Sequence, residues 1–245
     1  MKKTKNILLT VLSVVLWVGV WCVASLLIGN RFFLPSPIHT LEALIELLGT
    51  LEFYKVVALT LVRVLLGLVI GILFGVALGI LCHRFSIVFK VFSLPISIIK
   101  ATPVASFIIL LWVLLSGDSL AILVSILMVL PIVFQNTIDG FSSVSKDLIE
   151  VANLYKFSFV EKLKVLYLPV IQRFIYPAII TSVGLAWKAE IATEIIAYTK
   201  NSIGQNINDA KTALLTPTVF AWTLVIVIMS ILLEYIAKQL LRRCK

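Results

Sequence analysis

Hydrophobic positions in this chain run continuously for long stretches, without alternating and without a confined helical stripe. Six stretches, residues 7–28, 56–81, 94–115, 120–138, 174–197 and 219–241, are apolar nearly all round. Each is close to the roughly 20 residues a helix needs to cross the hydrocarbon core of a bilayer. Membrane barrel strands would alternate in and out, and these do not. The third and fourth stretches are separated only by Ser116-Gly117-Asp118-Ser119, a tight turn. The pattern predicts an all-α integral membrane protein with about six transmembrane helices.

The polar intervals carry their own signals. After the first span, Leu34-Pro35-Ser36-Pro37 opens a short helix in which Ser36 is the cap and Pro37 the first position, where a missing N–H costs nothing. Ile38, Leu41, Leu44, Ile45 and Leu48 recur at helical spacing around Glu42 and Glu46, which predicts an amphipathic helix on the outer surface. Residues 1–55 therefore read as a peripheral N-terminal span plus this external segment, and residues 56–241 as the membrane core, including the polar interval 139–173. The long polar interval, 139–173, is too well punctuated for a linker. Asp139-Gly140 breaks the preceding span, Ser145 can cap a helix reaching about Tyr155, and Lys156-Phe157 turns the chain. Ser158-Phe159-Val160-Glu161 is a capping-box pattern that starts a second helix, with Pro169 at its end. Two short helices joined at an elbow are expected, offering Leu148, Ile149, Ala152, Leu154 and Tyr155 to a partner's groove.

Composition agrees with a lipid setting: 61% of the 245 residues are hydrophobic and 13% charged, with mean hydropathy +1.12. A soluble domain keeps about a quarter of its residues charged. Lys2, Lys3 and Lys5 precede the first span as in a signal peptide, but the apolar run is too long and no small-x-small cleavage site follows, so a retained helix is expected. With the N-terminus inside, cytoplasmic segments carry fourteen cations (Lys2, Lys3, Lys5, Arg84, Lys90, Lys146, Lys156, Lys162, Lys164, Arg173, Lys238, Arg242, Arg243 and Lys245). External segments carry four: Arg31, Lys55, Lys200 and Lys211. This positive-inside asymmetry places both termini in the cytoplasm, and it accounts for the net charge of +9 without nucleic-acid binding. Cys22, Cys82 and Cys244 show no CxxC spacing, and His39 and His83 stand on opposite sides of the membrane, so neither a disulfide framework nor a metal site is indicated.

Inside the spans, four glycines (Gly67, Gly71, Gly75 and Gly79) recur every four residues and form a smooth stripe for close helix packing. Lys100-Ala101-Thr102-Pro103 is the most polar of the proline sites, fitting either a pathway-lining break or a packed kink. Lys188, Glu190 and Glu194 lie in the fifth span and Arg63 in the second. Unpaired charges at such depth are costly, so Arg63 is expected to pair with Glu190 or Glu194. Counting residues from the span ends favours Glu190 by depth. Lys188, two residues earlier, points elsewhere.

The elbow also carries a resemblance. Glu150-Val151-Ala152, Lys156 and Leu166-Tyr167-Leu168-Pro169 stand at the spacing E-A-A, three residues, G, nine residues, I-x-L-P. This resembles the cytoplasmic loop by which membrane subunits of ABC importers grip their ATPase. Val151 and Leu166 replace an alanine and an isoleucine. Lys156 replaces the glycine, at a turn that calls for positive φ. Leu34–Pro37, Thr60-Leu61-Val62-Arg63-Val64-Leu65-Leu66-Gly67 and Trp187 through Glu194 are similar to permeases of the nitrate, sulfonate and taurine branch.

The resemblance implies a type I ABC importer permease of the bacterial inner membrane. Each chain would supply half of a pathway shared with a second permease subunit, here a second copy. Two cytoplasmic ATPases would bind ATP and Mg, and an external solute-binding protein would deliver a small solute such as nitrate, a sulfonate, taurine or a vitamin precursor. Glu150, Val151, Ala152, Tyr155, Lys156, Leu168 and Pro169 would form the docking site. No G-x-x-x-x-G-K-[ST] phosphate loop occurs in the chain, so no cofactor is expected on it and the energy must come from another polypeptide. An ion-coupled secondary transporter using Lys188, Glu190 and Glu194 is the competing reading. A membrane-embedded enzyme lacks any HExxH or GxSxG signature.

Overall fold

The computed structural model describes residues 2–243, with side chains described for residues 9–242. Cys244 and Lys245, and the side chains of Lys2, Lys3, Lys5 and Arg243, lie outside the described residues. The first span is helix α1 (Lys2–Ile28). It is peripheral, held at its far end by Trp21 Nε1, which donates to the Pro35 carbonyl at 3.0 Å, and by the Ser25 hydroxyl on the Leu34 carbonyl at 3.0 Å. Helix α2 (Pro37–Leu48) starts as its sequence predicts, with the Ser36 hydroxyl accepting from the His39 N–H. It buries Thr40 and Ala43 and leaves Ile38 and Ile45 exposed.

Helix α3 (Leu51–Arg84) is about 51 Å long at 1.5 Å per residue, longer than the ~30 Å hydrocarbon core. The next apolar stretch, expected as one span over 94–115 with a break or kink at Lys100–Pro103, is sharply broken. It consists of α4 (Ser86–Ala101) and α5 (Val104–Trp112), bent by 103° at Thr102-Pro103. Pro103 has no N–H to continue the ladder and disfavours helical backbone at Thr102, which takes ψ 129° and closes α4 by donating to the Ile98 carbonyl. Among the described residues five helices are long and apolar enough to cross a membrane, or six if this bent pair is one span.

Helix α6 (Gly117–Ser142) is the most buried span and packs between α3 and the helix described next. After α7 (Lys146–Leu154) and the elbow comes α8 (Phe159–Lys162), a π turn at Leu163–Tyr167, and α9 (Leu168–Ile196). These last three form one continuous helix, Phe159–Ile196. Pro169 was expected to end the second elbow helix, but it lies in the first turn of α9. The Leu168 N–H reaches the Leu163 carbonyl across the wider π turn, and the helix passes through the proline without a stop. Helix α10 (Ile203–Thr212) is polar and was not anticipated; α11 (Thr216–Arg243) completes the bundle.

Two seams set the packing. Helices α3 and α6 run parallel, with Gly67, Gly71, Gly75 and Gly79 set against Ser125, Val129, Val133 and Thr137, at a constant offset. A Cβ added at these glycines would lie 2.5, 2.8, 2.9 and 2.6 Å from the Cβ of those partners. Dispersion is the main attraction between helices surrounded by lipid, and here it comes from backbone-close contact. Helices α6 and α9 run antiparallel, Gly140 touching Ile171 near the elbow. The main core joins Trp187, Trp222, Val64, Val129 and Val133. A second cluster, Phe141, Val144, Tyr167 and Ile171, seats the elbow on the bundle. His83 stacks on Phe141 there, ring centroids 4.1 Å apart.

Because the seam leaves no room for a side chain, Gly71→Leu and Gly75→Leu should each destabilise the bundle by about 1–3 kcal/mol or more, read as a lower melting temperature and yield of purified protein. In a Gly71→Ala background, Val129→Ala should recover part of the loss. Unchanged melting temperatures in both leucine variants would show that the seam is not a packing constraint.

Candidate functional site

Two polar constructions stand out against the apolar bundle. One is buried, at the end of the bundle away from the elbow. Arg63 leaves α3 with 5% of its surface exposed. Its Nη1 lies 3.1 Å from Glu194 Oε1, and its Nε and Nη2 lie 2.9 and 2.8 Å from Asp118 Oδ1. The Lys200 and Asn201 carbonyls accept from Nη2 and Nη1 at 3.2 and 3.4 Å. The guanidinium thus joins α3, the start of α6, the end of α9 and the following loop.

Glu194 is fully buried and fully engaged. The Thr60 hydroxyl donates to Oε1 at 2.7 Å and the Gly204 N–H to Oε2 at 3.1 Å. Gly204 belongs to the first turn of α10, whose exposed N–H groups and dipole favour a carboxylate. A Cβ at Gly204 would lie 2.4 Å from Glu194 Cβ, so only glycine allows α10 to approach this closely. The Ser202 hydroxyl caps α10 by accepting from the Gln205 N–H at 3.0 Å. The Ser-x-x-Gln spacing was a legible signal for this helix. Asn208 then donates to the Ile195 carbonyl at 2.7 Å, satisfying the end of α9.

The ion pair therefore goes to Glu194, not to Glu190 as depth counting suggested. Helical side chains lean toward the N-terminus of their own helix. Arg63 on α3 leans away from the elbow, and Glu194 on the oppositely running α9 leans back toward it, so their heads converge. Glu190 leans past Arg63. It is fully buried, with Oε2 accepting from the Ser125 hydroxyl at 2.9 Å and Oε1 without a partner among the described residues. Asp118 was missed as the second acid. Its position in a turn between two spans, level with Arg63, was the available signal. Lys188 is exposed and joins neither carboxylate, and Lys100 is exposed at the α4–α5 break.

The other construction is the elbow. Glu150 and Val151 are exposed on α7, Ala152 is buried against its base, and Leu154 and Tyr155 project with 81% and 76% of their surface exposed. Ser145 makes no side-chain cap, whereas the capping box of Ser158 and Glu161 forms in both directions, at 3.3 and 2.7 Å. Lys156 takes φ 55°. The Phe157 N–H bonds to the Ala152 carbonyl and the Lys156 N–H to the Asn153 carbonyl, both at 2.9 Å. This is the double closure in which glycine is the usual left-handed residue. Lysine has kept glycine's turn at a conformational cost of about 1 kcal/mol. Leu168 and Pro169 are exposed where the π turn joins α9.

A helical membrane protein with a broken span, an exposed elbow and a helix carrying that elbow across the bundle has the architecture of a type I ABC importer permease. The chain belongs to the family of binding-protein-dependent transport system inner membrane components, whose sequence profile matches residues 67–245. It is 27% identical to the taurine transport system permease protein TauC of Escherichia coli K12 over 229 residues, 91% of this chain and 83% of that one. Against SsuC of Bacillus subtilis 168, described as an aliphatic sulfonates transport permease, identity is 24% over 242 residues, 98% and 86% of the two chains. Inward-facing crystal structures of the MetNI methionine ABC transporter share the fold, with a TM-score of 0.61 at 16% identity over 78% of this chain and 94% of that one; a second crystal form gives 0.56. The protein is thus a transport component, the permease of an ABC system, and the ion-coupled carrier reading falls away.

Glu194→Gln should destabilise the protein by about 3–5 kcal/mol, because Arg63 would lose one buried charge partner. Gly204→Ala should act in the same direction through the clash with Glu194. Glu190→Gln keeps the bond to Ser125 and should cost under about 1 kcal/mol. The melting temperatures of the three purified variants rank the roles. Equal losses for Glu190→Gln and Glu194→Gln would contradict the assignment.

Proposed function

We propose that this chain is one of two identical permease subunits that import a small sulfonate-type anion such as taurine. An external solute-binding protein delivers the solute, and a cytoplasmic ATPase pair, which carries the ATP and Mg, drives its passage. The elbow is the observation that carries the reading. An acidic residue, Glu150, stands beside Leu154 and Tyr155 at a sharp left-handed turn, and these large apolar groups have no cover among the described residues. A water-facing surface without a partner would not keep them in one patch. Docked in an ATPase groove, the elbow transmits movement directly, because its second helix is the start of the continuous helix Phe159–Ile196.

The second subunit is supported by the α4–α5 break. Irregular backbone at membrane depth is tolerated only where protein or water covers it. Yet Pro103, Lys100 and the large apolar residues Ile98, Ile109 and Leu110 are exposed in the single chain. A second copy across this face would cover the apolar residues and leave the break lining a shared aqueous pathway, with Lys100 as an electrostatic lure for an anion. Sulfonate chemistry rests on the two relatives and on this cation. The positive-inside distribution supports a cytoplasmic elbow and cytoplasmic termini.

Reversing the charge by Glu150→Lys should leave the permease folded in the membrane and abolish both ATPase stimulation and uptake in reconstituted vesicles. Normal stimulation in that variant would sink the docking assignment. Lys156→Gly should preserve uptake at equal or slightly greater stability, since glycine relieves the positive φ. Lys156→Val, stiff and β-branched, should lower stability by about 1 kcal/mol or more; greater stability in the valine variant would contradict the turn.

A further inference from the structure

The cleft between the elbow-side ends of α9 and α11 shares Pro169 with the docking loop but takes no part in the buried ion pair. We propose that it binds the headgroup of an anionic phospholipid. The two helices touch at Gly184, where a Cβ would lie 2.6 Å from Glu234 Oε1, and toward the elbow side they enclose a cavity of about 830 Å³. Gln172 and Arg173 enter it from α9, and Lys238 and Arg242 from α11. Lys238 and Arg242 are four apart and share one helix face, so cations from both helices converge on one opening.

Charge accounting gives the sign of the ligand. Lys238 Nζ is 3.7 Å from Glu234 Oε2, an exposed and weak pair. Neither Arg173 nor Arg242 makes an ion pair among the described residues. Three cations and one acid leave two positive charges uncompensated around the opening. Guanidinium groups present planar forks that match phosphate oxygens, and Gln172 adds a neutral donor.

The lining also says which phosphate. Ile180 and Leu241 continue the cavity as an apolar wall, and Arg173 sits where the polar loop gives way to the fifth apolar stretch. A phosphodiester held at the mouth would leave its acyl chains along α9 and α11, whereas a free phosphate would leave the wall unused. Basic pockets between membrane helices at the bilayer surface suit anionic headgroups. The proposal rests on the membrane placement of α9 and α11 and not on ATPase docking, so the two stand or fall separately.

The test is native mass spectrometry of the purified transporter after delipidation, titrated with phosphatidylglycerol, phosphatidylcholine or inorganic phosphate. The wild type should prefer phosphatidylglycerol over phosphatidylcholine, and the double variant Arg173→Gln/Arg242→Gln should lose roughly thirtyfold of that preference at an unchanged melting temperature. Millimolar inorganic phosphate should leave bound phosphatidylglycerol in place. Equal binding of the two lipids by the wild type overturns the proposal without reference to any variant. Displacement by inorganic phosphate would reassign the cleft to a free anion. Loss of ATPase subunits from the double variant with lipid retention unchanged would reassign it to a protein partner.

Discussion

One arginine in a low-dielectric setting constrains this structure more than any other residue. A guanidinium has several donors, cannot shed its charge, and inside an apolar bundle must satisfy them all. Arg63 does so by drawing on three separate parts of the chain: Asp118 at the head of α6, Glu194 near the end of α9, and the adjacent carbonyls of Lys200 and Asn201. Glu194 in turn needs Thr60 and the amide end of α10. The polar loop and helix between α9 and α11 are therefore fixed by a charge on α3, far away in sequence. Apolar contacts add to this, since Ile203 and Ile207 of α10 are buried in the main core.

This knot gives the elbow something to work against. The helix from Phe159 to Ile196 spans about 57 Å if straight, with the elbow at one end and Glu194 near the other. Along it, Ile171 meets Gly140 and Glu190 meets Ser125, both on α6. α6 is locked to α3 through the glycine seam. These contacts join α3, α6 and α9 into one packed body that reaches the elbow, and a π turn beside Pro169 is the local irregularity at its root. The broken pair α4–α5 packs less extensively on this body. Under the proposed pairing, the passage would open between it and the second copy.

Legibility in the sequence followed the length scale of each cause. Spans, the capping box at Ser158 and the cap at Ser36 depend on neighbours a few residues apart, and they read directly. So did the four-residue glycine period, although the sequence could not say that Ser125, Val129, Val133 and Thr137 would oppose it. At Thr102-Pro103 the proline marked a break or a kink, but the 103° change of direction could not be read, because a hydropathy run registers apolarity and not direction. Pro169 misled for the opposite reason: a stop signal in isolation, it is absorbed by a π turn. α10 escaped because it is polar and is held by tertiary bonds. The choice of Glu194 over Glu190 turned on the lean of side chains on two oppositely running helices, which counting from span ends leaves out. Lys156 kept the turn of the glycine it replaces, since the elbow's backbone bonds outweigh about 1 kcal/mol of strain.

The claim that Arg63 and Glu194 are energetically one unit is tested most directly by a double-mutant cycle. Arg63→Met, Glu194→Gln and the pair together would be compared by reversible denaturation in a fixed detergent. Because each single change strands a buried group that the other had satisfied, the coupling energy should reach about 2 kcal/mol or more, with the double variant more stable than the sum of the singles implies. A coupling energy below about 0.5 kcal/mol, the range of independent sites, would contradict it and leave the knot a coincidence of packing.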